Sequence, residues 1–256
     1  MTGALVQLRR EGARADVVLA RADARNAVNL RTCEELVAVF DQIAADRDIR
    51  VVVLSSEGPV FCAGADMKER AGRDEAWVMA RRRASFRAYD TIAACAVPVV
   101  CAVQGPLVGS GGEIAMSCDF IIAADHATFS FPEAGWGTVG ATQRLQRVIG
   151  TSRAKELLYT GRKMPAPEAL ALGLVARLVP AAELQAAVDE VAERIASAPP
   201  LAMRLTKQCI DHGSRTDLAS GIAIELAAIE RNLHESDWRS QVGRFSSTIG
   251  NEGKAS

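Results

Sequence analysis

A chain of 256 residues, 49% hydrophobic and 24% charged, has the composition of a globular protein with a sizeable core, and the length suits one α/β domain with an appendage. A net charge of −1 offers no broad basic field to nucleic acid, and no apolar run approaches the length that spans a bilayer. Six scattered cysteines without a C-x-x-C pair, and an N-terminus without an apolar signal core, set the expectation of a reducing cytoplasm.

Residues 4–9 and 16–21 are β-rich runs around Glu11-Gly12-Ala13, the pattern of a hairpin. Asn29 is placed to cap a helix whose apolar residues Leu36, Val37, Phe40 and Ile43 recur at helical spacing. Residues 50–55 contain Val51-Val52-Val53-Leu54, a continuous apolar run suited to a strand buried on both faces. A Gly/Pro-bearing loop spans 57–66, and a helical stretch follows to about Ala94, with Arg81-Arg82-Arg83 as its solvated face. Residues 97–103 form a second buried strand, ended by Gly105-Pro106. The run 109–112 opens a short apolar helix, and 119–124 is a further strand. Alternating strands and helices predict crossover units in a layered α/β core.

Beyond about Gly137 the chain turns helical, over 152–159, 166–172, 181–198 and 201–212, with 174–178 the one strand-like segment. Residues 214–234 carry an apolar stripe of Leu218, Ile222, Leu226 and Ile229. Ala198-Pro199-Pro200 marks a linker, which gives a core over 1–198 and a C-terminal helical region over 199–256. Trp77 and Trp136 are assigned to core packing.

Metal and nucleophile motifs fail. The three histidines lack ligand spacing, no serine sits in a G-x-S-x-G elbow, and no Gly-Lys-Ser/Thr loop is present. What remains is two small-residue loops, 61–66 and 109–113, each following a buried strand. Small residues let a ligand approach the backbone, and two such loops could each supply an amide to a developing oxyanion. Either loop alone reads more often as a tight turn.

The ordered series Asn26-Ala27-Val28, Phe61-Cys62-Ala63-Gly64-Ala65-Asp66-Met67-Lys68, Gln104-Gly105 and the run 109–119 resembles the crotonase (enoyl-CoA hydratase/isomerase) superfamily. Phe129-Ser130-Phe131-Pro132-Glu133, Thr142-Gln143-Arg144-Leu145 and Ala171-Leu172-Gly173-Leu174-Val175 extend the match over nearly the whole chain. The resemblance implies an α/β fold: a crotonase-like spiral of ββα units with a C-terminal helical trimerisation region, assembled as a homotrimer or a dimer of trimers. It implies that the amides of Ala65 and Ser110 hold a thioester carbonyl. Ser110 stands where most relatives have glycine.

It further implies that Arg25, Ala63, Gly64, Asp66, Met67, Lys68, Gly109 and Gly137 line the substrate and coenzyme A channel. Glu113 and Glu133 fall on the positions that decide the reaction. By resemblance Glu113 activates water and Glu133 delivers a proton to Cα. Glu113 follows the glycine loop at a helix start, where the dipole favours a carboxylate, while the apolar neighbours of Glu133 favour its protonated form. Both together select hydration of an enoyl-CoA, without a metal or redox cofactor, coenzyme A entering as part of the substrate. An isomerase or acyl-CoA hydrolase of the same fold, and a non-catalytic binding scaffold, stay open. The stretch Thr138-Val139-Gly140-Ala141 is shorter than is usual in this family before Thr142. It sets the expectation of a branched, cyclic or aromatic acyl group.

Overall fold

The computed structural model describes residues 3–240. β1 (Val6–Glu11) and β2 (Arg14–Leu19) form the expected hairpin, turning at Gly12 with φ +56°. In α1 (Leu30–Ala45) the Asn29 side chain caps the helix, accepting from Thr32 N–H at 2.8 Å, and Leu36, Phe40 and Ile43 are buried. β3 (Val51–Ser56) carries the first buried apolar run.

The single long helix expected up to Ala94 is two helices, α2 (Met67–Arg70) and α3 (Glu75–Ala93). Gly72 takes φ +73°, and Asp74 caps the second helix by accepting from Trp77 N–H at 2.8 Å. Arg81 corrects the expected solvated face, because it is buried.

There follow β4 (Val99–Val103), β5 (Leu107–Val108), α4 (Ser110–Ala115), β6 (Phe120–Ala124), β7 (Thr128–Ser130), α5 (Thr142–Ile149) and α6 (Thr151–Thr160). The series continues with β8 (Lys163–Pro165), α7 (Ala166–Ala171), β9 (Arg177–Val179) and α8 (Leu184–Ser197). The strand expected at 174–178 begins only at Arg177, since Leu174 and Val175 are buried in a turn whose N–H groups reach the Ala169 carbonyl.

Six strands form one sheet in the order β1-β2-β3-β4-β6-β9, antiparallel at the hairpin and parallel elsewhere. A small sheet runs β5-β7-β8, and Leu107 of β5 also bridges Cys62. The chain thus repeats strand–strand–helix, as β1-β2-α1, β4-β5-α4 and β6-β7-α5. In the later repeats the first strand joins the large sheet and the second joins the small one. The crossovers that leave β4 and β6 carry the strands of the small sheet, and Leu54, Phe61, Val103, Leu107, Ile114, Phe129 and Phe131 belong to one buried core.

The chain divides into two compact units, Met1–Ser197 and Ala198–Ser256. In the second, Pro199 and Pro200 open α9 (Pro200–Gly213), proline being compatible with a first helical turn. α9 packs on α10 (Leu218–Glu235) with Gly213 and Gly221 in close approach. The predicted stripe is exposed, from 81% at Leu218 to 47% at Ile222. Residues 241–256 of the expected helical region lie outside the described residues. Among the described residues no helix is long and apolar enough to cross a membrane.

Candidate active site

A cavity of about 70 Å³ opens in the first unit between the loop at 63–67, the turn at 108–110, α3 and the segment at 132–138. That holds water but falls below the ~300–1,000 Å³ of a formed small-molecule site, so a larger ligand would have to displace side chains on entry. Met67 and Trp136 are the large apolar side chains on the wall that are exposed.

The loop at 63–66 is fixed from beneath. Asn26, buried with φ +54°, accepts from Arg21 N–H and donates to the carbonyls of Glu57 and Val60. Cys62 donates its thiol to the Asn26 carbonyl at 3.1 Å. Burial pushes that thiol up to about 12, so it serves as a neutral strut.

Val28 N–H donates to the Gly64 carbonyl, and Asp66 N–H donates to the Val28 carbonyl. This parallel bridge turns the N–H of Ala65 away from its neighbour strand, and among the described residues it has no acceptor. Asp66 closes the loop, capping α2 and pairing with Arg21 at 2.6 Å. Burial opposes its ionisation, but Arg21 and the amides of Glu69 and Lys68 outweigh that and hold the carboxyl below its ordinary range.

The second loop is set by Gly109, at φ +47° and ψ −106°, whose N–H donates to the Ser130 carbonyl at 2.9 Å. Ser110 then begins α4 with negative φ, so its side chain brings no left-handed strain. Its N–H lies in the first helical turn, where no intrahelical acceptor exists, and it has none elsewhere among the described residues. Ala65 and Ser110, each with an unpaired N–H, thus line one cavity. The packing behind them is tight: a Cβ on Gly111 would lie 2.7 Å from Cys62 Cβ, and one on Gly112 would lie 2.4 Å from Phe131 Cε1.

The two glutamates differ. Glu113 is buried behind this turn and does not line the cavity. Its Oε2 accepts from Arg144 Nη1 at 3.1 Å, and Arg144 also reaches Asp90 at 2.8 Å and stacks over Tyr89 at 5.5 Å. Glu133 is on the wall, with Oε1 2.7 Å from where a Cβ on Gly109 would stand. Its Oε2 is buried with no hydrogen-bond partner. Burial raises its pKa and the charge of Glu113 adds to the rise, while its own backbone N–H and Arg82 oppose it.

Of the residues singled out from sequence, Ala63, Gly64, Ala65, Asp66, Met67, Gly109, Ser110 and Glu133 meet on this wall. Arg25, Lys68, Glu113 and Gly137 do not. Arg25 is exposed at φ 51° and contributes its carbonyl, which accepts from Ala63 N–H. Lys68 is exposed, and Gly137 ends a turn at φ +69°.

The sequence reading missed Arg81 and Arg82, and it put Trp77 and Trp136 in the core although both line the cavity. Trp136 is 64% exposed, and Trp77 is partly buried under the Arg73 guanidinium. A signal for Arg81 existed: it shares a helical face with Ser85, Ala88 and Ile92, all buried. There it donates to Ser85 at 2.5 Å and to the Val28 carbonyl, and faces Glu69 at 3.5 Å. Among the described residues no cluster of three or more metal-ligating side chains occurs.

Comparison with known proteins places this geometry. The profile of the enoyl-CoA hydratase/isomerase family matches residues 9–249, and the chain belongs to that family. It is 36% identical over 233 residues to a putative enoyl-CoA hydratase/isomerase, YngF, of Bacillus subtilis, covering 90% of each chain. A short-chain-enoyl-CoA hydratase of Clostridium acetobutylicum is 35% identical over 246 residues, 94% of each. The crystal structure of an enoyl-CoA hydratase from Bacillus anthracis superposes with a TM-score of 0.92 at 36% identity, covering 95% of this chain and 96% of that one. The crotonase-like α/β fold is thereby shown.

Proposed function

We propose that this chain is an enoyl-CoA hydratase, adding water across the 2,3 double bond of an acyl-CoA thioester. The observation that carries the reading is the pair of unpaired amides at Ala65 and Ser110, facing a cavity beside an uncompensated glutamic acid. Preorganised amides stabilise negative charge where it develops, which here is the thioester oxygen. Glu113, paired with Arg144 at 3.1 Å, is the member assigned to take a proton from water.

The water oxygen then bonds to Cβ, the π electrons move onto the thioester oxygen, and the two N–H groups hold the resulting enolate. Glu133, whose burial favours the protonated form, delivers its proton to Cα as the carbonyl re-forms. The proton held by Glu113 passes to Glu133 through solvent and resets the pair. Coenzyme A enters with the substrate, and no metal or redox group takes part. In this reading the protein works in the cytoplasm, as a trimer or paired trimers through its exposed helical stripe.

One observation favours a second reading, migration of the double bond: of the two acids only Glu133 lines the cavity. A single carboxyl can shuttle a proton between two carbons of an enolate. Matched 2-enoyl and 3-enoyl thioesters separate the two. Loss of the conjugated-thioester absorbance from the 2-enoyl substrate, with kcat reduced about 10²–10⁴-fold in both Glu113→Gln and Glu133→Gln, is the expected result. Full hydration by both variants defeats the hydratase mechanism. Conversion of the 3-enoyl substrate that survives Glu113→Gln but not Glu133→Gln establishes the isomerase instead.

A further inference from the structure

The charged groups on the cavity wall are almost all accounted for. Asp66 is paired with Arg21 and Glu69 with Arg81. Arg70 is exposed on α2 and open to solvent. Arg82 is different: it is half-buried, lines the cavity beside Val78 and Trp77, and among the described residues no carboxylate pairs with it. Its one hydrogen bond goes from Nη2 to the Val139 carbonyl.

A guanidinium carries five N–H donors in a planar fork, and that bond uses one. The fork that remains fits a carboxylate. Arg82 also stands next to the reacting groups. A Cβ on Gly140 would meet Glu133 Oε1 at 3.0 Å and Arg82 Nη2 at 3.3 Å, so both side chains close on the same glycine without forming an ion pair with each other. The short stretch at 138–141 brings them together, because it places the Gly140 backbone against Glu133 and gives Arg82 the Val139 carbonyl.

A thioester held at Ala65 and Ser110, with its double bond under Glu133, thus directs its acyl end toward an uncommitted positive charge. A plain alkyl chain would leave that guanidinium desolvated and unmatched, which is costly.

We propose that the acyl group ends in a carboxylate, making the substrate the enoyl monothioester of a short dicarboxylic acid, and that Arg82 is the specificity-determining residue that receives it. The inference rests on the hydratase reading and refines the branched, cyclic or aromatic expectation drawn from the shortened segment.

Two measurements test it. The first compares kcat/KM for glutaconyl-CoA and for 2-pentenoyl-CoA, which carries a methyl in place of the carboxylate. The protein should prefer glutaconyl-CoA by at least about tenfold, the scale of a charged hydrogen bond, and the ratio should collapse toward one in Arg82→Gln and recover in part in Arg82→Lys. A ratio of one or below, or a preference untouched by Arg82→Gln, overturns the proposal. The second is calorimetric titration with glutaryl-CoA and pentanoyl-CoA, which needs no turnover. Tighter binding of glutaryl-CoA that is lost in Arg82→Gln supports the assignment even if neither enoyl substrate reacts, a result that would count against the hydratase reading alone. Equal affinities for the two saturated thioesters sink the assignment. Far-ultraviolet circular dichroism and melting confirm that Arg82→Gln is folded.

Discussion

The two acid-bearing segments of the site are built on opposite principles. The one at 109–113 is enclosed. Its glycines are pressed against Cys62, Phe131 and the Glu133 carboxyl, and Glu113 is held by Arg144. The one at 131–141 is anchored at Phe131 and Ala141 but loops to the surface between them, where Gly137 meets nothing within 4 Å and Trp136 is exposed, and its Glu133 keeps a buried oxygen without a partner. The difference teaches where a fold invests its rigidity. The segment that carries Ser110 is locked, while the one that carries Glu133 is left under-satisfied, as the proposed acyl binding and proton exchange would need.

Substitutions at glycine give the largest contrast. In Gly112→Ala the new methyl lies within 2.4 Å of a fully buried ring that cannot retreat. We expect a loss of about 1–3 kcal/mol in denaturant unfolding, the usual cost of overpacking. Gly137→Ala meets no atom and loses only the left-handed backbone preference, about 1 kcal/mol. Equal losses at the two sites would show that the enclosed segment is no tighter than the open one.

A smaller effect separates the acids by pH. Glu133 has a folded pKa above its unfolded one, so between those values the native state binds more protons and stability falls as pH rises. Glu133→Gln removes that dependence. Its melting temperature should exceed that of the parent near pH 7, and the gap should narrow as pH falls through the unfolded carboxylate range toward pH 4. A gap that widens on acidification would mean that Glu133 is ionised and paired in the native state. The smallest expected change is Ser110→Gly. Because the backbone N–H stays in place, kcat should move by less than about threefold, with a stability loss of up to about 1 kcal/mol from added chain entropy. A larger fall in kcat would assign work to the hydroxyl and not to the amide.

Much of this molecule was legible in its residues. Continuous apolar runs at 51–54 and 99–103 gave the buried parallel strands, Asn29 gave a helix start, and the alternation of elements gave the layered core. The short pieces that build the site were not. β5, β7 and β8 span two or three residues each, too few to show any period, and they exist only because the crossovers of the large sheet lay them side by side. Local chemistry likewise named Glu113 and Glu133 through resemblance, but it could not show that one is ion-paired behind the wall and the other unpartnered upon it.

Sequence by itself determined the family, the glycine loops and the two acids, since these rest on residue type and order along the chain. Tertiary structure alone decided that Ala65 and Ser110, with unpaired N–H groups, line one cavity, that Arg81 is buried, and that Arg82 and Glu133 close on the same glycine. Each of these depends on which distant segments meet, and chain order does not encode the direction of an N–H group or the company of a charge.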